Sequence, residues 1–156
     1  MHFRRALRKD LESLIEMLAD DELGKLREDY QLPLPSAYEE AFAKIDQDNN
    51  QHLTVVTNDR GELIGMLQLT FIPYLTYQGG VRAQVEGVRI KKSHRGQGTG
   101  EQMMAWAIEK AKQEGAHVLQ LTTDKLRPDA IRFYEKLGFT ASHEGMKLHL
   151  PQNLKS

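Results

Sequence analysis

An alternating strand ending in Val88-Arg89-Ile90 runs through Lys91–His94 into Arg95-Gly96-Gln97-Gly98-Thr99-Gly100, and an amphipathic helix begins there. This junction constrains the chain more than any other feature. The first turn of a helix leaves backbone N–H groups without intrahelical partners, and the macrodipole puts partial positive charge at the same end. Glycines let an anion approach the backbone with no Cβ in the way. Arg95 adds a fixed positive charge with donors suited to phosphate oxygens. The segment therefore reads as an anion site, against the plainer reading of a glycine-rich turn into a helix. Two better-known phosphate motifs fail. The dinucleotide fingerprint needs glycine where Glu101 stands, and no Gly-Lys-Ser/Thr ending follows Gly100.

The flanking pattern is strand and helix in alternation. His2–Ala6 reads as a first strand, and Asp10–Leu23 carries a helical stripe at Leu11, Leu14, Ile15 and Leu18. Ser36 opens a second helix, with Glu39 completing a capping-box pattern. His52–Thr57 and Glu62–Ile72 form a hairpin across Asn58-Asp59-Arg60-Gly61, and Pro73 ends it. Val81–Ile90 is the next strand, after the Tyr74–Gly80 connection. Gly98–Gly115 is helical, Val118–Thr123 a buried strand, and Pro128–Leu137 a short helix capped by Gly138. Phe139–Ser142 and Met146–Leu150 are expected as closing strands. The order argues for an α/β architecture with helices packed on a mixed sheet.

Composition narrows the function classes. The chain has 156 residues, a common size for one domain that buries a core without metals or disulfides. With no cysteine, a disulfide scaffold and a cysteine nucleophile are excluded. A formal charge of -1 gives no basic excess for nucleic acid, so no nucleic-acid partner is expected. No apolar run approaches a membrane span, and the first residues lack the apolar stretch of a signal peptide. A cytoplasmic location is the expectation. Six histidines are scattered with no His-Glu-x-x-His arrangement, so no metal site is expected. Trp106, on the helix after the glycine turn, is read as packing.

Arg95-x-x-Gly98-x-Gly100, after a strand and before a helix, resembles the pyrophosphate signature of the GNAT superfamily of N-acetyltransferases. Further on, Ala130-Ile131-Arg132-Phe133-Tyr134-Glu135-Lys136-Leu137-Gly138-Phe139 resembles that family's second cofactor motif. The resemblance covers nearly the whole chain and implies one GNAT domain over residues 1–156. It implies a mixed central sheet of about seven strands, splayed at a cofactor slot between Val81–Ile90 and Val118–Thr123, with about four flanking helices. It also implies acetyl-CoA as cosubstrate, no metal, a primary amine as acceptor and a homodimer.

Site residues follow from the same resemblance. Val88, Arg89, Ile90, Arg95, Gly96, Gln97, Gly98, Thr99 and Gly100 are expected at the cofactor, with Arg127, Ala130, Phe133 and Tyr134. The family often carries asparagine where Arg127 stands, so a side-chain amide contact is in question. Val88 and Ile90 are expected to act through their backbones, binding the pantetheine arm and polarising the acetyl carbonyl. Tyr134 is expected as general acid, since a phenol of ordinary pKa is protonated at neutral pH. Glu86 is expected as general base, directly or through water, on one strand face with Val88 and Ile90 and raised in pKa by partial burial. A solvent-facing glutamate paired to a neighbouring cation is the plainer alternative. Tyr30, Tyr74 and Tyr77 are candidates for the acceptor's walls. Asp20, Asp21, Glu22, Glu28 and Asp29 read as a solvated charged face. A catalytically weak acyl-CoA-binding regulatory module is the rival to the enzyme.

Overall fold

A computed structural model describes residues 1–152. The chain divides into two compact units, residues 1–121 and the remainder, and each is described by itself. Residues 153–156 of the expected single domain lie outside the described residues.

The first unit is a five-stranded mixed sheet in the order β1-β2-β3-β4-β5. The strands are β1 (His2–Arg5), β2 (Gln51–Thr57), β3 (Leu63–Pro73), β4 (Val81–Ile90) and β5 (Ala116–Leu121). The first three pairings are antiparallel, and β5 joins β4 in parallel. The hairpin between β2 and β3 forms where the turn residues placed it. Asn58 N–H donates to the Glu62 carbonyl at 3.0 Å, and Gly61 N–H to the Asn58 carbonyl at 2.9 Å.

Four helices of nine residues or more match the sequence expectation: α1 (Leu11–Ala19), α3 (Ser36–Gln47), α5 (Thr99–Gln113) and α6 (Pro128–Lys136). Two single turns add to them, α2 (Gly24–Arg27) and α4 (Thr76–Gly79). The capping box at Ser36 is not realised. Pro35 occupies the cap position without a side-chain bond, and Glu39 instead pairs with Arg8.

The two sheet faces bury different partners. Cross-strand pairs Leu53↔Gln68 and Val55↔Met66 put these four residues on one face. There Leu53, Val55 and Met66 join Leu11, Leu14, Ile15, Met17 and Phe42 of α1 and α3 in one core cluster. The opposite face carries buried Leu67, Leu69, Ala83 and Val85, and α5, packed on β4 and β5, buries Met103, Met104, Ala107 and Ala111. Trp106 stacks on Phe3 with ring centroids 4.9 Å apart, the packing role expected of it.

Seven strands were expected and the described residues hold five. Phe139–Ser142 and Met146–Leu150 are not strands. Apolar alternation in Met146, Leu148 and Leu150 suggested a half-buried strand, but these three side chains are largely exposed. A strand needs a neighbouring ladder to satisfy its backbone, and neither segment is in one.

β1 is fastened to the chain that follows it by Arg4 and Asp10. The Arg4 guanidinium donates to both carboxylate oxygens, at 2.8 and 3.0 Å, and Leu7 N–H adds a bond at 2.7 Å. Arg4, with help from the Leu7 amide, holds the Asp10 carboxyl below the usual carboxylate range. A depressed folded-state pKa gives stability present above the unfolded value near ~3.9 and lost as pH falls through the folded one. Stability of the parent should therefore decline in acid below about pH 4, and Asp10→Asn should flatten that decline, as followed by urea denaturation across pH. Leu67→Ala, at a fully buried position, should lower stability by about 3 kcal/mol with an unchanged denaturant slope.

Candidate active site

β4 is not a regular strand. Glu86 pairs with Gln68 and Arg89 with Met66, so Gly87 and Val88 together oppose Leu67. This is a β-bulge, and Gly87 sits at φ 60, where a side chain would be strained. The bulge overturns the expected alternation. Gln68 and Met66 share a face, so their partners Glu86 and Arg89 share it as well. Val88 and Ile90 do not lie with Glu86.

The edges of β4 differ along its length. Pairing with β5 ends at Val85↔Leu121, whereas pairing with β3 continues to Ile90. Lys91 N–H donates to the Ile64 carbonyl at 2.8 Å, which makes Gly65↔Ile90 a non-hydrogen-bonded pair. The N–H and C=O of Ile90 therefore point away from β3, along the edge that β5 does not cover. Arg95 Nε already donates to the Ile90 carbonyl at 2.9 Å, and an Arg89 guanidinium nitrogen to the Val88 carbonyl at 2.9 Å. β4 therefore ends paired on one side only.

The glycine turn is built for open backbone. Gly96 and Gly98 have φ of 73 and 79, and nothing lies within 4 Å of the Cβ position at either. Gly98 is the N-cap of α5, and no side chain caps it. The N–H groups of Thr99 and Gly100 thus head a 15-residue helix without an intrahelical acceptor. Thr99 is buried and turns its hydroxyl back to the His94 carbonyl at 3.2 Å, while Gln97 donates to the Ser93 carbonyl at 3.1 Å. Both side chains donate to carbonyls before the turn, and neither bonds to an N–H of the turn. The residues fit a diphosphate at the turn and an amide-bonded arm along Ile90.

Acidic residues after α1 have a role that charge alone did not show. Asp20 lies 3.5 Å from Arg95 and Asp21 3.8 Å from Arg89. Each arginine thus bridges an acidic residue after α1 and a carbonyl near the end of β4.

Glu86 is exposed, not partly buried, and accepts a bond from Gln84 at 3.2 Å. Gln84 in turn accepts from Gln120 at 2.9 Å. Tyr74 and Tyr77 come together around the Arg82 guanidinium, 4.8 and 5.4 Å from the two ring centroids. Sequence reading missed Arg82; its signal was a cation in phase with Glu86, four residues before it on the strand. Tyr30 is exposed in the segment between α2 and α3 and makes no ring contact with Tyr74 or Tyr77.

In the second unit, α6 starts with Pro128 at its first turn and Arg127 as N-cap. Arg127 N–H donates to the Asp124 carbonyl at 2.9 Å, and the Arg127 carbonyl accepts from Ala130 at 3.1 Å. Tyr134 is half-buried, edge-on to Phe133 at 5.2 Å and to Phe139 at 5.7 Å. Rings on both sides restrict the phenol's orientation. Among the described residues no cluster of metal-ligating side chains occurs, and no helix is long and apolar enough to cross a membrane.

The first unit thus brings a one-sided strand end and a glycine turn together; the second carries a tyrosine held between two rings. Matching to the acetyltransferase (GNAT) family extends over residues 16–139. The chain belongs to the GNAT acetyltransferase family, and it is an acyltransferase. It is 33% identical over 140 residues to the aminoalkylphosphonate N-acetyltransferase of Salmonella typhimurium, covering 90% of this chain and 85% of that one. It is 30% identical over 90 residues to the glucosamine 6-phosphate N-acetyltransferase of Trypanosoma brucei brucei, covering 58% and 59% of the two chains. A crystal structure described as a transcriptional regulator from Bacillus halodurans C-125 superimposes with a TM-score of 0.91 at 57% identity, covering 96% of this chain and 99% of that one.

Gly98→Ala should test the turn. A Cβ at φ 79 is expected to cost about 1 kcal/mol in thermal stability and to weaken coenzyme A binding measured by calorimetry.

Proposed function

We propose that this chain transfers the acetyl group of acetyl-CoA to a primary amine on a small molecule, by direct attack in a ternary complex. The observation that carries this reading is the uncapped, glycine-opened first turn of α5 beside the one-sided end of β4. The turn's amides, with Arg95, hold the diphosphate. The Ile90 N–H binds along the pantetheine arm or at the thioester carbonyl. Val88, Arg89, Gly96, Gln97, Thr99, Gly100, Arg127, Ala130 and Phe133 complete the cofactor's surroundings. Residues 1–156 act as one catalytic domain, a reading supported by a family match that runs through both units.

Glu86 takes a proton from the ammonium group, directly or through water. The free amine attacks the carbonyl carbon, a C–N bond forms and the C–S bond breaks. Tyr134 gives its proton to the departing thiolate, the proton that the nitrogen sheds as the amide forms passes to solvent, and the Tyr134 phenol is restored from there. An exposed carboxylate oriented by Gln84 suits the first step, and a phenol fixed between two rings suits the last. The acceptors in two relatives' names, an aminoalkylphosphonate and glucosamine 6-phosphate, both join an amine to an anionic phosphorus group. They support a small acceptor over a protein amine. A homodimer working in the cytoplasm, where acetyl-CoA is at hand, completes the reading.

The 57% identical relative described as a transcriptional regulator favours one alternative, a regulatory module that binds acyl-CoA with weak catalysis. Release of free CoA thiol decides between them. The enzyme requires both acetyl-CoA and an amine for release. The module gives thermal stabilisation by coenzyme A and no turnover over a broad amine panel. Tyr134→Phe should lower kcat by about tenfold to a hundredfold, with coenzyme A affinity nearly unchanged. A variant as fast as the parent would remove Tyr134 from the mechanism.

A further inference from the structure

Polar side chains run in a row across four strands on the Glu86 face. Gln51, Thr70, Gln84 and Gln120 are successive cross-strand partners. Thr70 and Gln68 both donate to the Gln51 amide oxygen, at 2.8 and 2.7 Å, and Gln120 donates to Gln84. This part of the face lies beyond the apolar cluster under α1 and α3, so it is a polar floor.

Arg82 stands at one end of that floor and Glu86 at the other, with Gln84 between. Arg82, Gln84 and Glu86 precede the bulge, so strict alternation puts them on one side. The Arg82 guanidinium is covered by the rings of Tyr74 and Tyr77, and Tyr77 stacks on His117 at 5.0 Å. Rings fix a guanidinium's plane without neutralising it, and they leave its edge donors for a planar fork. Among the described residues Arg82 has no carboxylate partner, and its half-buried side chain has an Nε with no hydrogen-bond partner. Arg4, Arg89 and Arg95, by contrast, all face carboxylates. A cation held in place beside amides and without a counter-ion is poised for an anion from outside.

We propose that Arg82 holds the anionic end of the acceptor while Glu86 receives its amine. This rests on the transferase reading above and deepens it. Four residues of strand separate the two positions, about 13 Å between Cα atoms, so the acceptor carries its anion several bonds from the amine. A phosphonate, phosphate or carboxylate meets the fork alike, and Gln84 lies beneath the chain that joins the two ends. Arg82 is thus a specificity-determining residue that binds substrate and leaves the bond-making steps to others.

The test compares aminopentylphosphonate, aminopentanoate and aminopentanol as acceptors for the parent, Arg82→Gln and Arg82→Lys. The parent should prefer the two anionic amines through KM, and the order between them tells tetrahedral from planar anions. Arg82→Gln should raise KM for the anionic amines by about tenfold or more, with kcat nearly unchanged and aminopentanol unaffected. Arg82→Lys, which keeps the charge and loses the fork, should fall between and remains the test if the glutamine variant does not fold. An unchanged KM for the anionic amines, an equal rise for aminopentanol, or a parent that turns over all three alike overturns the assignment and leaves the transferase standing. If the parent turns over none of them, the transferase reading is what fails. Thermal stabilisation of the parent by aminopentylphosphonate, absent in Arg82→Gln, still supports the anion site in that case, and equal stabilisation of both overturns it.

Discussion

Gly87 allows β4 to place two residues against one on β3, and the arrangement of the first unit's site follows from that local misfit. Before the bulge, β4 presents Arg82, Gln84 and Glu86 on the face toward α1 and α3. After it, Arg89 takes over that face and Ile90 turns its backbone outward. A regular strand would keep one phase throughout, and it would offer its carboxylate and its outward amide in a different relation. Bulges concentrate where a sheet must re-aim a side chain or end a pairing, and this one lies two residues past the last β4–β5 pair.

Charge is distributed so that the cations near the junction are held before any ligand arrives. Asp20 and Asp21 follow α1 directly and sit against Arg95 and Arg89. These pairs are partly exposed and contribute little to stability. Their value lies in orientation, since a long side chain held near its working position loses less freedom on binding. Arg82 is held differently, by aromatic faces, and so keeps its charge uncompensated. Arg89 and Arg95 are thus anchored by carboxylates and Arg82 by rings.

Local chemistry was legible in the sequence where one residue type decides a conformation. Asn58–Gly61 gave the hairpin, Gly98 the start of α5, and Pro128 with Gly138 the limits of α6, because turn and cap residues act over a few bonds. Features set by register were not legible. Alternation through Gly87 assigned Val88 and Ile90 to the wrong face, since nothing in a single strand announces which residue its partner will skip. The closing strands failed for a related reason: Met146, Leu148 and Leu150 alternate as a strand does, but pairing depends on a neighbour. Arg82 escaped notice because its significance comes from Tyr74, Tyr77 and an absent carboxylate, all of which are spatial. The glycine turn and the helix start lie where the sequence put them, because their geometry belongs to the backbone of six consecutive residues, Arg95–Gly100.

Amide chemical shifts of isotope-labelled protein during coenzyme A titration address the central claim most directly. The account requires saturable shifts concentrated at Gly96–Gly100 and at Ile90. Saturation with shifts centred elsewhere, or no response to coenzyme A at all, would contradict it.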